Sequence, residues 1–142
     1  MKVRKPRTKK EYQKYYDLRW RILRKPWNQP KGSEKDDLEG QSIHLMACKK
    51  GKLLGVGRVH FNSLKEAQIR YMAVEEGLQG KGVGTIILKG LEKSAKEKGA
   101  NHIILNARES AVGFYKKQGY RIVRNASTLF RVIPHYKMRK EL

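Results

Sequence analysis

The residues best suited to chemistry are Gln79-Gly80-Lys81-Gly82-Val83-Gly84. They lie between a strand-like run, Ile69-Arg70-Tyr71-Met72-Ala73-Val74, and an apolar helical pattern that opens at Gly84-Thr85-Ile86-Ile87-Leu88. A glycine-rich turn entering a helix is a place to hold phosphate. Glycines let the backbone approach closely, and the first helical amides have no internal partner. Lys81 adds a positive charge, either toward the phosphate or toward solvent. Two common phosphate loops do not fit. No Gly-Lys-Ser/Thr occurs, which excludes a Walker A loop, and Gly80-x-Gly82-x-Gly84 has the wrong spacing for a dinucleotide fingerprint.

The elements around this loop follow from periodicity and punctuation. Val3 to Lys5 reads as a short strand. Thr8, with Glu11 three residues on, opens a helix that carries Tyr12, Tyr15, Tyr16, Leu18, Ile22 and Leu23 and ends before Pro26. Trp27 to Gly40 is a polar loop with room for one helical turn. Strands are expected at Ser42–Lys49 and Leu53–Phe61, joined by a turn at Lys50-Gly51-Lys52, and at Ala67–Val74. A helix then runs from about Gly82 to Lys98 and stops at Gly99. After it come a strand at His102–Asn106, a helix at Ser110–Gln118, and strands at Tyr120–Arg124 and Arg131–Arg139. Antiparallel strands followed by β-α-β-α-β-β argue for an α+β fold with a mixed sheet, in one domain spanning residues 1–142.

A second motif, Ala111-Val112-Gly113-Phe114-Tyr115-Lys116-Lys117-Gln118-Gly119-Tyr120, follows at a fitting distance. Together the two segments resemble the GNAT superfamily of acyl-CoA-dependent N-acyltransferases. Gln79, Gly82 and Gly84 match the family's Gln/Arg-x-x-Gly-x-Gly/Ala loop. Ala111, Phe114, Tyr115, Gly119 and Tyr120 match its later motif. The resemblance spans most of the chain and is most specific from about Gln68 to Tyr120. It implies a splayed, mostly antiparallel sheet of six or seven strands flanked by about four helices. The ligand would be wedged where Ala67–Val74 and His102–Asn106 part.

The resemblance also implies a function: transfer of an acetyl group from acetyl-CoA (coenzyme A) to a primary amine, by direct attack in a ternary complex. Main-chain amides from Gln79 to Thr85, through Gly80, Lys81, Gly82, Val83 and Gly84, would hold the pyrophosphate. The backbones of Met72 and Val74 would pair with the pantetheine arm. Tyr115 would be the acid for the departing thiolate; a phenol of pKa near 10 stays protonated at neutral pH. The competing reading makes Tyr115 a packed core residue.

Two positions depart from the family pattern. Gln68 stands where histone-type members carry a glutamate base, and an amide cannot serve. Either water relays the proton, or a weakly basic amine arrives neutral, or the base is His60 or a member of the acidic cluster Glu34, Asp36, Asp37 and Glu39. Arg108 replaces an asparagine that contacts pantetheine, which leaves cofactor phosphate, a carboxylate or solvent as its partner. The segment Leu18–Pro26 resembles the helix that lines the acceptor side. Trp20 and Trp27 are candidates for a pocket wall, and Glu34 and Asp37 for holding a cationic amine.

Composition narrows the rest. The 142 residues carry a formal net charge of +20, and the acids concentrate between residues 26 and 80. Acyl-CoA is a polyanion and would be attracted by such a field, as would nucleic acid. A basic nucleic-acid-associated protein on the same fold is therefore the alternative reading, although no zinc-finger or RNP motif appears. No apolar run approaches a membrane span, and no signal-peptide core follows the basic start, so a cytoplasmic protein is expected. The single cysteine, Cys48, lies in an apolar strand-like run and cannot build a disulfide framework. The four histidines show no metal-ligand spacing, so no metal is expected. Monomer and homodimer are both compatible with the sequence.

Overall fold

The computed structural model describes residues Met1–Leu142. Seven strands form one sheet: β1 (Lys2–Arg4), β2 (Ile43–Lys49), β3 (Lys52–Phe61), β4 (Glu66–Val74), β5 (His102–Arg108), β6 (Arg121–Asn125) and β7 (His135–Glu141). Their spatial order is β1-β2-β3-β4-β5-β7-β6. Every pairing is antiparallel except β4 with β5. That parallel pair needs a crossover, supplied by α2 (Val83–Glu97).

Alternation along β2 shows how the two faces are covered. Leu45 and Ala47 join the core beneath α2, with Val59, Ile69, Ile87 and Leu91. Met46 points the other way and packs with Tyr15 and Leu18 of α1 (Lys9–Leu23). Gly57 lets α2 come down onto β3. A Cβ there would lie 2.7 Å from the Ile87 side chain and 2.7 Å from the Met72 sulfur. Thr8 caps α1 as expected, accepting the Glu11 amide at 3.1 Å. The Glu11 carboxylate does not close the box on Thr8 but accepts the Arg7 amide and the Arg4 guanidinium. Lys50 and Gly51 both have positive φ, as a two-residue hairpin turn requires.

Two expected elements are corrected, the helix count and the start of the last strand, while the loop after α1 is as expected. The sheet has three α-helices against it, not four: α1, α2 and the short α3 (Val112–Lys117). The segment between α1 and β2 carries only 3-10 turns at Lys25–Trp27 and Glu39–Gln41. The last strand starts at His135, not Arg131. Phe130 and Arg131 have positive φ inside a tight turn closed between Leu129 and Ile133, and Pro134 has no amide to give a ladder. No helix is long and apolar enough to cross a membrane.

Candidate active site

The site begins with a defect in β4. Val56 pairs with Ala73 and Arg58 with Arg70, so Gly57 faces two residues, Tyr71 and Met72. This is a β-bulge, and Tyr71 absorbs it at φ 57°. A bulge bends the strand. The parallel ladder between β4 and β5 ends at Ile69↔Leu105, and beyond it the two strands part. Glu75 donates its amide to Leu54 on β3 at 2.8 Å, so by alternation Ala73 also faces β3 while Met72 and Val74 turn their backbone groups to the open side. An extended amide-bearing ligand can pair there as a strand would.

The glycine loop lies just past the end of β4. Gln79 ties it back: its Nε2 donates to the Val74 carbonyl at 3.2 Å and its Oε1 accepts the Gly77 amide at 3.1 Å. Gly80 and Gly82 have φ of 78° and 86°, and a Cβ at either would meet nothing within 4 Å. The backbone there is open to an incoming group, and no side chain caps the amides of α2. This cradle fits the diphosphate of acetyl-CoA. Val83 is buried in the core, Thr85 accepts a bond from Gln118, and Lys81 is exposed. Gly84 packs against the Phe114 ring, 3.4 Å from where a Cβ would sit.

Where β4 and β5 separate, a cavity of about 240 Å³ opens. Its walls are Ile69–Met72 of β4, Leu105–Arg108 of β5, Ala111 and Tyr115 of the following turn and helix, Leu23 and Arg24 at the end of α1, and Ala126, Ser127, Leu129 and His135 beside β6 and β7. Tyr115 is buried against Phe114 and Tyr120, with ring centroids at 5.0 and 5.6 Å. No protein group bonds its hydroxyl, and burial raises its pKa, which keeps it protonated. His135 places Nδ1 2.9 Å from the Ile133 carbonyl. Nδ1 is therefore the protonated nitrogen and Nε2 keeps a lone pair. Burial lowers the His135 pKa, with Arg108 and Arg24 adding to the effect against the Ile133 bond.

Beneath the bulge lies a buried charged layer. Arg19 and Arg58 are fully buried. Arg58 bonds Asp36 at 2.7 Å and Glu39 at 2.8 Å, and Arg19 bonds Glu39 at 2.9 Å. Burial opposes the Asp36 charge, but Arg58 and the Leu38 amide hold its pKa at about 2. The Tyr71 ring is faced by the guanidiniums of Arg19, Arg70, Arg58 and Arg24 at 4.4, 4.6, 5.0 and 5.5 Å. This cage fixes a residue whose backbone would otherwise be strained.

Of the residues singled out from sequence, Met72, Arg108 and Tyr115 meet at the cavity. His60 does not line it. Its Nδ1 accepts from Arg58 at 3.0 Å and its Nε2 donates to Asn62 at 3.1 Å, so neither nitrogen is free to act as a base. Trp27, Glu34 and Asp37 also lie off the cavity. Glu34 is buried on the Gly32 amide, and Asp37 is exposed. Arg24, Tyr71 and His135 were not anticipated. Arg24 lies in Leu18–Pro26, the segment expected to line the acceptor side, though the residue itself was not singled out, and His135 opens β7 just after Pro134.

The acetyltransferase (GNAT) family model matches residues 12–120. The chain belongs to this family. Among curated relatives, an uncharacterized N-acetyltransferase, YjcF of Bacillus subtilis, is 37% identical over 124 residues, covering 87% of this chain and 88% of the relative. Among solved structures, an aminoglycoside 6′-N-acetyltransferase complexed with coenzyme A superposes with a TM-score of 0.83 at 18% identity, over 99% of this chain and 97% of that one. Escherichia coli ElaA superposes with a TM-score of 0.80 at 18% identity, over 99% of both chains. This GNAT protein is accordingly an acetyltransferase whose acetyl donor is acetyl-CoA.

Proposed function

We propose that the chain acetylates a primary amine by direct attack within a ternary complex. The supporting observation is the Tyr115 hydroxyl: buried, protonated, unbonded within the protein, and set on the wall of the cavity where β4 and β5 part. Acetyl-CoA brings the thioester carbonyl that serves as electrophile. The loop amides from Gly80 to Thr85 take its phosphates, and the open edge at Met72 and Val74 takes its pantetheine arm. His135 Nε2 accepts the proton that the amine gives up as its nitrogen bonds the acetyl carbon. Tyr115 donates a proton to the sulfur as the C–S bond breaks. Alignment of the two reactants supplies most of the acceleration, and no covalent enzyme intermediate is needed.

Steady-state transfer to a panel of amines, followed by free thiol and by mass of the product, tests this reading. Intersecting double-reciprocal lines are expected. Parallel lines would mean a covalent acetyl-enzyme and would refute direct attack.

A further inference from the structure

Two arginines on the cavity wall have no counter-ion. Arg24 is 8% exposed. Its Nε donates to the Ser33 carbonyl at 3.0 Å and its Nη1 to the Leu23 carbonyl at 3.1 Å. Arg108 Nη2 donates to that same Leu23 carbonyl at 3.2 Å. Two guanidiniums therefore converge on one neutral oxygen. Arg108 Nε and Nη1 are left without a protein acceptor, and the one side chain that offers Arg24 an acceptor is the neutral Tyr71 hydroxyl. No carboxylate lies within salt-bridge distance of either, although ten Arg or Lys ion pairs form elsewhere in the chain. Asp36 and Glu39 in the loop after α1 are engaged elsewhere: Asp36 by Arg58 and Arg70, and Glu39 by Arg19 and Arg58. The end of α1 at Leu23 offers about half a unit of negative charge, too little to balance two guanidiniums.

Like charges held side by side repel, and their free N–H groups, which still reach solvent, are open to an anion that would balance them. Acetyl-CoA does not bring that anion to this point. Its phosphates belong at the glycine loop, and none of residues 77–85 lines this cavity. Its pantetheine and thioester are uncharged. The remaining molecule in the ternary complex is the acceptor.

We infer that the acceptor is a compact primary amine bearing an oxyanion, a carboxylate or a phosphate, which Arg24 and Arg108 bind while its amine faces His135. A guanidinium fork matches either oxyanion in two-point geometry, and a cavity of about 240 Å³ that must also admit the thioester end of acetyl-CoA leaves room only for a small acceptor. A polycationic acceptor such as an aminoglycoside would meet like charge. This inference rests on the acetyltransferase reading above.

The experiment compares acetylation of the common L-amino acids and O-phosphoethanolamine with their uncharged partners, the amino-acid amides and ethanolamine, and with kanamycin. Acetyl-CoA binding is measured separately by calorimetry. Faster acetylation of an anionic amine than of its neutral partner is expected, and the amino-acid and phosphoethanolamine arms separate carboxylate from phosphate. Arg108→Met should raise KM for the anionic amine by about 10- to 100-fold, the worth of a charged hydrogen bond. The loss for the anionic amine should exceed any change in KM for the neutral partner or in the acetyl-CoA Kd, and Arg108→Lys should restore part of it. The same variant should melt no lower than the parent, since it removes an uncompensated charge. If acetyl-CoA binds but no anionic amine outpaces its neutral partner, the inference is overturned. If acetyl-CoA does not bind, the acetyltransferase reading itself has failed.

Discussion

Replacing Gly82 by alanine separates backbone strain from ligand approach. Gly82 has φ 86°, and a Cβ there meets nothing within 4 Å. The variant therefore carries the cost of a left-handed L-residue and no clash, about 1–2 kcal/mol. For a chain of 142 residues that is a drop of roughly 3–6 °C in Tm. Gly51 is a matched control: its φ is 76°, its surroundings are equally open, and it sits in the β2–β3 turn. Gly51→Ala should lose the same stability. Only Gly82→Ala should also lose acetyl-CoA, because its methyl group occupies the space through which phosphate reaches the amides at the start of α2. Losing one charge-assisted bond costs about 1.5–3 kcal/mol, or roughly 10- to 150-fold in Kd. Thermal melts and calorimetric titrations of both variants give the two numbers. Equal Kd values for both variants would refute the reasoning.

Three further outcomes follow. Tyr115→Phe loses no internal hydrogen bond, so its Tm should hold within about 1 kcal/mol of stability. Its kcat should fall by about 10²- to 10⁴-fold, and an unchanged kcat would remove Tyr115 from the chemistry. Gly57→Ala puts a methyl against Ile87, Leu91 and the Met72 sulfur, so urea denaturation should show a loss of about 1–3 kcal/mol, with weaker acetyl-CoA binding as Met72 shifts. Burial lowers the pKa values of His44, His60 and His135 below 6.5. The unfolded chain then binds protons first as pH falls, so stability should decline below about pH 6.5. A Tm as high at pH 5.5 as at pH 7.5 would contradict this.

The sequence carried the glycine loop because residue type there reports backbone conformation directly. Gly80 and Gly82 stand at positive φ as their positions demanded. The strand–loop–helix order around them followed from apolar periodicity, which burial on α2 and β4 reproduces. The start of β7 was misjudged because Arg131–Ile133 has strand-like composition, while the turn at Phe130-Arg131 and the missing amide of Pro134 decide the pairing. Met72, Arg108 and Tyr115 were singled out, but their grouping with the rest of the cavity wall was illegible for a different reason. Arg24, Tyr71, Arg108 and His135 are far apart in the chain and meet only through the strand order. Carboxylates were sought in the loop after α1 as acceptor ligands. The fold uses Asp36 and Glu39 there to neutralise Arg19, Arg58 and Arg70, and so leaves Arg24 and Arg108 unbalanced.

The proposed function requires acetyl-CoA to lie from the glycine loop to the opening between β4 and β5. Amide chemical-shift mapping of isotope-labelled protein titrated with acetyl-CoA tests it most directly. The account predicts saturable shifts concentrated at Gly80–Thr85, Met72, Val74 and the α3 amides around Tyr115. Shifts confined to other faces, or no saturable shift at all, would contradict it.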